Sequence, residues 1–467
     1  MLGLSAEFKT KFVDLLGPAE AENLFKAMEA DSKKAFRVNS LKASQNVAYS
    51  TSQPVPYIPS AYYGNINGQD PEWVSGTVYS QDPAAMFPAF VTKVHPGEKV
   101  LDLCAAPGGK STALGQALDG QGLLVANEIN GGRAAILREN LERWGLANAL
   151  ILNEDSQRLA QHFPSFFDRI LVDAPCSGEG MFRKDPDAIA YWSQAYVLKC
   201  AQRQKEILAE AVKMLTPGGI LVYSTCTFSP EEDEEIVAWL VENYGFEILP
   251  ADLPDTEKIS LGRPEWGGGL ADLAKTLRFW PQDGLGEGQF VAILKKPGEK
   301  AAVKAKKPKK REKGRLCQRP TPTERSLIKE IISQFNLPQN LQDWEKRVCV
   351  SNGHVFIPAY TGDLTGLKVI SNGLELGLLK KKRFEPGHHL AEVLGTIAQT
   401  RVIDLDQPAY QKYLHGETVK VVSNLKGFVL VSSRGLIFSF GKLTGQQVLK
   451  NFYPKGLRQF VKGVTND

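Results

Sequence analysis

The chain is poor in cysteine and in histidine, with six of each in 467 residues. Cys104, Cys176, Cys200, Cys226, Cys317 and Cys349 form neither a CxxC pair nor a dense framework. This excludes a small disulfide-built scaffold and argues against a zinc site. Scattered cysteines in a large chain predict reduced thiols and a cytoplasmic setting. No apolar run approaches the ~20 residues of a membrane helix, and no secretory leader pattern is expected. Charge of one sign is lacking too. Lys and Arg number 56 against 52 Asp and Glu, a net charge of +4, so the clustering of charge matters more than its total. What is present is a globular composition, 43% hydrophobic, in a chain long enough for two or three domains.

From residue 98 onward, apolar runs alternate with helical stretches, as in a doubly wound parallel sheet. The runs are Val100–Cys104, Gly122–Asn127, Ala149–Leu152, Ile170–Val172 and Gly219–Tyr223. The expected fold class is α/β: a Rossmann-like core, a small N-terminal α+β segment and a mainly-β C-terminal region. The expected divisions are 1–95, a core at 96–295, a basic linker at 296–320, an α/β region at 321–400 and a β region at 401–467.

Within the first segment, Phe36–Lys42 reads as a short strand, either a solvated edge or an RNA contact through Arg37, Asn39 and Lys42. Pro230-Glu231-Glu232-Asp233-Glu234 reads as the acidic first turn of a helix, which the helix dipole suffices to explain. Lysines and arginines from Lys295 to Arg315 face only Glu299 and Glu312, the composition of a disordered linker that attracts RNA. Val419–Ser423, Phe428–Ser432 and Leu436–Phe440 suit a meander or small barrel. Lys450, Lys455 and Arg458, set among aromatics, are candidate RNA contacts.

The chemistry concentrates at strand ends. Ile170-Leu171-Val172 runs into Asp173-Ala174-Pro175-Cys176-Ser177-Gly178-Glu179-Gly180, and Gly219–Tyr223 runs into Ser224-Thr225-Cys226-Thr227. Open α/β sheets bind ligands at the carboxyl ends of their strands, so both thiols and a carboxylate fall where a substrate would sit. The turn Cys104-Ala105-Ala106-Pro107-Gly108-Gly109-Lys110 is glycine-rich but matches neither the Walker loop nor GxGxxG. Glu128, at the next strand tip, suits ribose hydroxyls, with Arg133 in the following helix either a site residue or a solvated one. Asp155 either binds an exocyclic amine or caps a helix. This set suits a nucleoside-containing cofactor without a metal, such as S-adenosylmethionine.

Leu101–Lys110, Asp173–Gly180 and Ser224–Thr227 resemble the central motifs of the Nol1/Nop2/Sun family of RNA 5-methylcytosine methyltransferases. Arg37–Lys42, Tyr79–Asp82 and Arg278–Pro281 resemble its flanking signatures. Gly387-His388-His389 and Lys450–Gly456 are similar to the tail of its bacterial RsmF-type branch, which methylates small-subunit ribosomal RNA. That tail is of the PUA-like RNA-binding class. Gln282 stands where a histidine is usual in the family, and Phe440 where a tryptophan is common. The resemblance implies a class I methyltransferase core using S-adenosylmethionine, held by the 104–110 turn, Glu128, Arg133, Asp155 and Asp173. It also implies Cys226 as nucleophile on cytosine carbon 6 and Cys176 as the residue of product release. Asp173 would bind the cytosine edge, and Lys110 would supply positive charge.

Transfer RNA is the alternative target, since the central motifs do not separate it from ribosomal RNA. A catalytically silent assembly factor would need neither thiol, and a small-molecule methyltransferase would need no basic tail. A monomer without metal is expected. Because the catalytic motifs end before the basic linker, deletion of residues 316–467 is expected to leave the first part folded.

Overall fold

The computed structural model describes residues 3–44, 47–253, 259–299, 317–445 and 447–458. Most of the basic linker lies outside the described residues. The N-terminal sheet is built on β1 (Ala35–Val38), which pairs antiparallel with both β2 (Ala61–Tyr63) and β3 (Val78–Ser80). β1 is therefore the central strand, and all four of its residues are buried.

The reading of Phe36–Lys42 as a solvated edge or RNA contact is corrected by this placement. Arg37, Asn39 and Lys42 are buried and satisfied by protein partners. The Arg37 guanidinium donates to the Gly109 carbonyl (2.7 Å) and the Thr112 hydroxyl (2.5 Å), and lies over the Trp144 ring. Burial lowers its pKa to about 10. Asn39 donates to the carbonyls of Gly76 and Trp144. Lys42 forms a buried ion pair with Glu392, 2.7 Å apart. A buried cation or amide persists only when so paired, and these pairs lock the N-terminal segment onto the core.

The central sheet carries β4 (Lys99–Asp102), β5 (Leu123–Asn127), β6 (Ala149–Leu152), β7 (Phe167–Asp173) and β8 (Leu215–Thr225) as neighbouring parallel strands in the order β6-β5-β4-β7-β8. The direction of winding reverses between β4 and β7, the switch point at which such sheets open a crevice. Near-continuous apolar strands buried on both faces separate two clusters, one around Val100, Leu124 and Trp144, the other around Leu101, Ile170 and Leu221. Antiparallel β9 (Glu247–Leu249), β10 (Ser260–Leu261), β11 (Leu277–Phe279) and β12 (Gln289–Lys295) extend the sheet beyond β8. The α/β, Rossmann-like expectation holds.

Beyond the linker, β13 (Cys349–Ser351), β14 (His354–Ile357), β16 (Leu374–Lys380) and β17 (Arg383–Pro386) form a separate antiparallel sheet. β15 (Val369–Asn372) instead crosses to the core and pairs antiparallel with β6. The region after the linker thus completes the edge of the central sheet, which bears against the expectation that the first part stands alone. The last sheet has the order β18-β20-β21-β22-β19, from Val402–Leu405, Gly427–Ser433, Leu436–Leu443, Val448–Asn451 and Val419–Lys420 respectively. Phe440 and Tyr453 are buried in its packing. These two rings are therefore unavailable for base stacking, whereas Lys450 and Lys455 are exposed and Arg458 is half-buried.

Reduced thiols were expected throughout, and this too is corrected. Cys317 and Cys349 are joined in a disulfide with Cα atoms 5.3 Å apart, where Gln318 pairs with Val350. Cys104, Cys176, Cys200 and Cys226 are free. Among the described residues no helix is long and apolar enough to cross a membrane.

Candidate active site

β7 and β8 end side by side, with Asp173 opposite Ser224 in register. The chain leaves both strands through turns stitched to each other. Ala174 N–H donates to the Ser224 carbonyl, Gly180 N–H to the Cys226 carbonyl, and the Ser177 and Thr227 hydroxyls are 2.7 Å apart. A Cβ on Gly180 would lie 3.0 Å from the Cys226 carbonyl oxygen and 3.1 Å from that of Gly288, so this close approach calls for glycine. The result is that the Cys176 and Cys226 sulfurs stand 3.3 Å apart. The hydrogen bond to Cys226, then burial, pushes the Cys176 thiol well above the usual cysteine range.

Beside the sulfurs, the Asp173 carboxylate receives Lys110 Nζ at 2.7 Å, the Ser224 hydroxyl at 2.7 Å and the Gln289 amide at 3.1 Å. Burial works against the Lys110 ammonium, but the charge and hydrogen bond of Asp173, with help from Cys226 and Asp102, outweigh it and hold the pKa above its ordinary value. Lys110 enters from the start of the helix Gly109–Ala117, directly after the glycine-rich turn. That turn is fixed from behind by Arg37, and Gly109 lies close against Gln81 and Tyr79.

The expected cofactor residues follow the carboxyl ends of β4, β5, β6 and β7. Asp102 is buried, with Oδ2 bound by Ser111 and Oδ1 without a protein partner. Burial, partly offset by the Ser111 bond, pushes its pKa up to about 7. Glu128 is buried at the tip of β5, accepting from Asn130 N–H, with Arg133 3.4 Å away. Arg133 also clamps the Ala106 carbonyl at 2.7 Å, so it braces the turn. Asp155 caps the helix Ser156–His162 through the Arg158 N–H, and of its two readings the capping role is the one this contact carries. Cys104 lies partly buried at the turn, its thiol pushed up by burial and then by Asp102 and Asp173. An orphaned buried carboxylate oxygen, a second acid at the neighbouring strand tip and a nearby ammonium together fit a ligand carrying a ribose and an amino-acid group.

The acidic run after Cys226 is more than a helix start, which corrects the dipole explanation. Glu232, Asp233 and Glu234 are all buried. Glu234 and Asp233 pair with the buried Arg278, whose pKa is held up by both acids against the effect of burial. Glu179 accepts from Trp192 Nε1, Phe228 N–H and the Ser229 hydroxyl. Sequence reasoning missed Glu179 and Glu232 as site residues. The nearest signal was that Glu179 lies inside the Cys176 motif itself. Trp192 and Phe228, which bind Glu179, belong to an aromatic cluster with Phe182 and Trp280 that Phe8 and Phe12 join from the N-terminal helix Ala6–Leu16.

A Rossmann-like sheet with an acid-lined crevice at its switch point defines a class I methyltransferase fold. Comparison with known proteins narrows the class. The family described as 16S rRNA methyltransferase RsmB/F matches residues 89–295. Three RsmF-specific descriptions match further stretches: the N-terminal domain at 4–83, the first C-terminal domain at 334–394 and the PUA domain at 400–459. Ribosomal RNA small subunit methyltransferase F of Vibrio vulnificus (strain YJ016) is 32% identical over 447 residues, covering 91% of each chain. The like-named protein of Vibrio cholerae (strain M66-2) is 30% identical over 94% of each. Among solved structures, a methyltransferase homolog from Pyrococcus horikoshii is 29% identical with a TM-score of 0.56, covering 63% of this chain and 96% of that one. The chain belongs to the RsmF branch of the RsmB/F methyltransferase family.

Proposed function

We propose that the chain methylates carbon 5 of cytosine in small-subunit (16S) ribosomal RNA, with S-adenosylmethionine as methyl donor and Cys226 as nucleophile. One observation carries the assignment: two thiols in contact beside an Asp–Lys pair, at the ends of adjacent parallel strands. S-adenosylmethionine supplies an electrophilic methyl group, and Asp102, Glu128, the 104–110 turn and Asp173 are the residues that would hold it.

Carbon 5 of cytosine is a weak nucleophile. Addition of the Cys226 sulfur to carbon 6 moves electron density onto carbon 5. A free thiol with a pKa near ~8.5 is only about 3% ionised at pH 7; the groups placed beside the attacking sulfur are the Cys176 thiol and the Lys110 ammonium. Asp173 holds the cytosine edge at N3 or the amino group. Once carbon 5 carries the methyl group, its proton leaves and that bonding pair restores the C5–C6 double bond. The C6–S bond then breaks, with its pair returning to Cys226. We assign release to Cys176, either as acceptor of the carbon 5 proton or as donor to the departing sulfur.

A stacked base hides carbon 6, so the target must be unpaired or flipped. Lys450 of the last sheet, Lys455 and Arg458 in the turn that follows it, and the basic linker are the RNA contacts we propose. The enzyme acts in the cytoplasm as a monomer and without metal in this reading. Bisulfite sequencing of ribosomal RNA from cells with and without the gene tests it. A cytosine protected only when the gene is present is the expected result, and protection confined to transfer RNA would move the assignment there.

A further inference from the structure

Glu232 is fully buried and plays no part in the chemistry above, yet it touches both the turn that carries Cys176 and the strand that leads to Cys226. Its carboxylate accepts from the Ser177 N–H, at 3.0 Å to Oε2 and 3.3 Å to Oε1. Oε2 also accepts from Gln204 Nε2 at 2.7 Å, and the same amide donates to the Pro175 carbonyl at 3.1 Å. The residues on either side of Cys176 are therefore gripped by one Glu–Gln unit. The backbone of Glu232 meanwhile accepts from the Tyr223 hydroxyl at 2.6 Å, three residues before Cys226 on β8. One residue thus sets the turn of the first thiol against the strand of the second.

We propose that Glu232 is a positioning residue for product release: it pins the 175–177 turn so that the Cys176 thiol stays aimed at Cys226 as a hydrogen-bond donor. This rests on the cytosine-5 reading and selects between the two release roles left open for Cys176. In the release step the C5–H bond breaks and its proton passes to water. Its electron pair forms the C5–C6 double bond, and the C6–S pair returns to Cys226. The Cys176 S–H then stabilises that departing thiolate by hydrogen bonding, without itself ionising.

The ionisable surroundings agree. The titratable groups acting on or from Glu232 are Glu179, Asp233, Cys176, Cys200 and Tyr223, and no lysine or arginine pairs with it among the described residues. Burial, then the Glu179 charge, pushes its pKa up to about 8. It is thus mostly neutral while the enzyme works near pH 7, and acquires a charge above that range. A negative charge there opposes ionisation of Cys176 and disfavours a thiolate leaving beside it.

The test uses the full chain with labelled RNA, scoring the covalent complex on denaturing gels and turnover across pH. Glu232→Ala should lower turnover on the order of tenfold to a hundredfold, the scale of a misplaced reacting group, while the covalent complex builds up. S-adenosylmethionine affinity should not change. Glu232→Gln keeps an acceptor for the Ser177 N–H and mimics the neutral acid. It should restore turnover near pH 7 and lack the wild-type decline in release through about pH 8. Gln204→Leu, which frees Pro175 alone, should give a smaller build-up, and it decides the matter should the Glu232 variants not fold. Cys176→Ala is the control. If it traps the complex and neither Glu232→Ala nor Gln204→Leu does, or if Glu232→Gln is as defective as the alanine variant, Glu232 has no such role. If Cys176→Ala itself traps nothing, the underlying reading falls instead.

Discussion

Cys176 and Cys226 approach to 3.3 Å because Asp173 and Ser224 are paired in register one turn earlier. Contact between the sulfurs thus rests on the sheet register together with the stitched turns that carry them. It also makes the thiols unequal: the hydrogen bond to Cys226, then burial, holds the Cys176 thiol well above the usual cysteine range.

This inequality predicts which variant stalls where. Cys176→Ala removes the release partner after the C6–S bond has formed, so a covalent RNA–protein complex should accumulate and show as a slow band on a denaturing gel. Cys226→Ala, alone or with Cys176→Ala, should give no such band and no methylation, with cofactor binding by calorimetry near wild type. A band from Cys226→Ala would reverse the two roles.

Glu128 is buried at the tip of β5, positioned by the Asn130 N–H and flanked by Arg133. Glu128→Ala should weaken S-adenosylmethionine binding by about 1–3 kcal/mol, the scale of losing hydrogen bonds to a charged group. Calorimetry checks this, and an unchanged dissociation constant would place Glu128 outside the site.

The thiols and Asp173 were legible because apolar runs mark strands, and residues just past strand ends point into the crevice of an open sheet. Arg37 and Lys42 were not. A four-residue strand carries no mark of whether it lies at the edge or the centre of its sheet, and the partner of Lys42 is Glu392, 350 residues away. Glu232, Asp233 and Glu234 escaped for a related reason. Acids in a first helical turn need no further cause, so nothing in the run itself signals that Arg278 and Ser177 consume them. β15 was hidden because the need for an edge strand belongs to β6, not to the sequence of β15.

The Lys42–Glu392 pair predicts a pH-dependent stability. Burial raises the Glu392 pKa from 4.5 to about 7, with Lys42 opposing the rise. A carboxyl raised in this way stabilises the fold below its unfolded pKa, and that contribution is lost as pH climbs through the folded value, because the unfolded chain releases its proton first. Lys42→Met removes the opposing cation and should extend the loss above pH 7. Urea unfolding should show the variant less stable by about 3–5 kcal/mol in mildly alkaline buffer, the cost of a buried charge left unpaired, and by less in acid. Pairing it with Glu392→Gln should flatten that dependence. A single variant that tracks wild type at every pH would show the pair to be energetically silent.

The same junction argues that the catalytic half does not stand alone. Ending the chain at residue 315 strips β15 from β6, where Val369, Ser371 and Asn372 pair with Leu152, Ile151 and Leu150. It also leaves buried Lys42 without Glu392, and the Leu146 carbonyl without His389. β6 is buried along its whole length, so its bared edge offers unpaired N–H and carbonyl groups on an apolar strand, a template for association. The truncated chain should therefore melt below the full chain and associate as concentration rises, read by thermal denaturation and light scattering. Ending the chain at residue 400 instead keeps β15 and the helix His388–Leu394, and should recover most of the difference. A 1–315 chain that stays monomeric and melts with the full protein would show that β15 and Glu392 contribute nothing to the core.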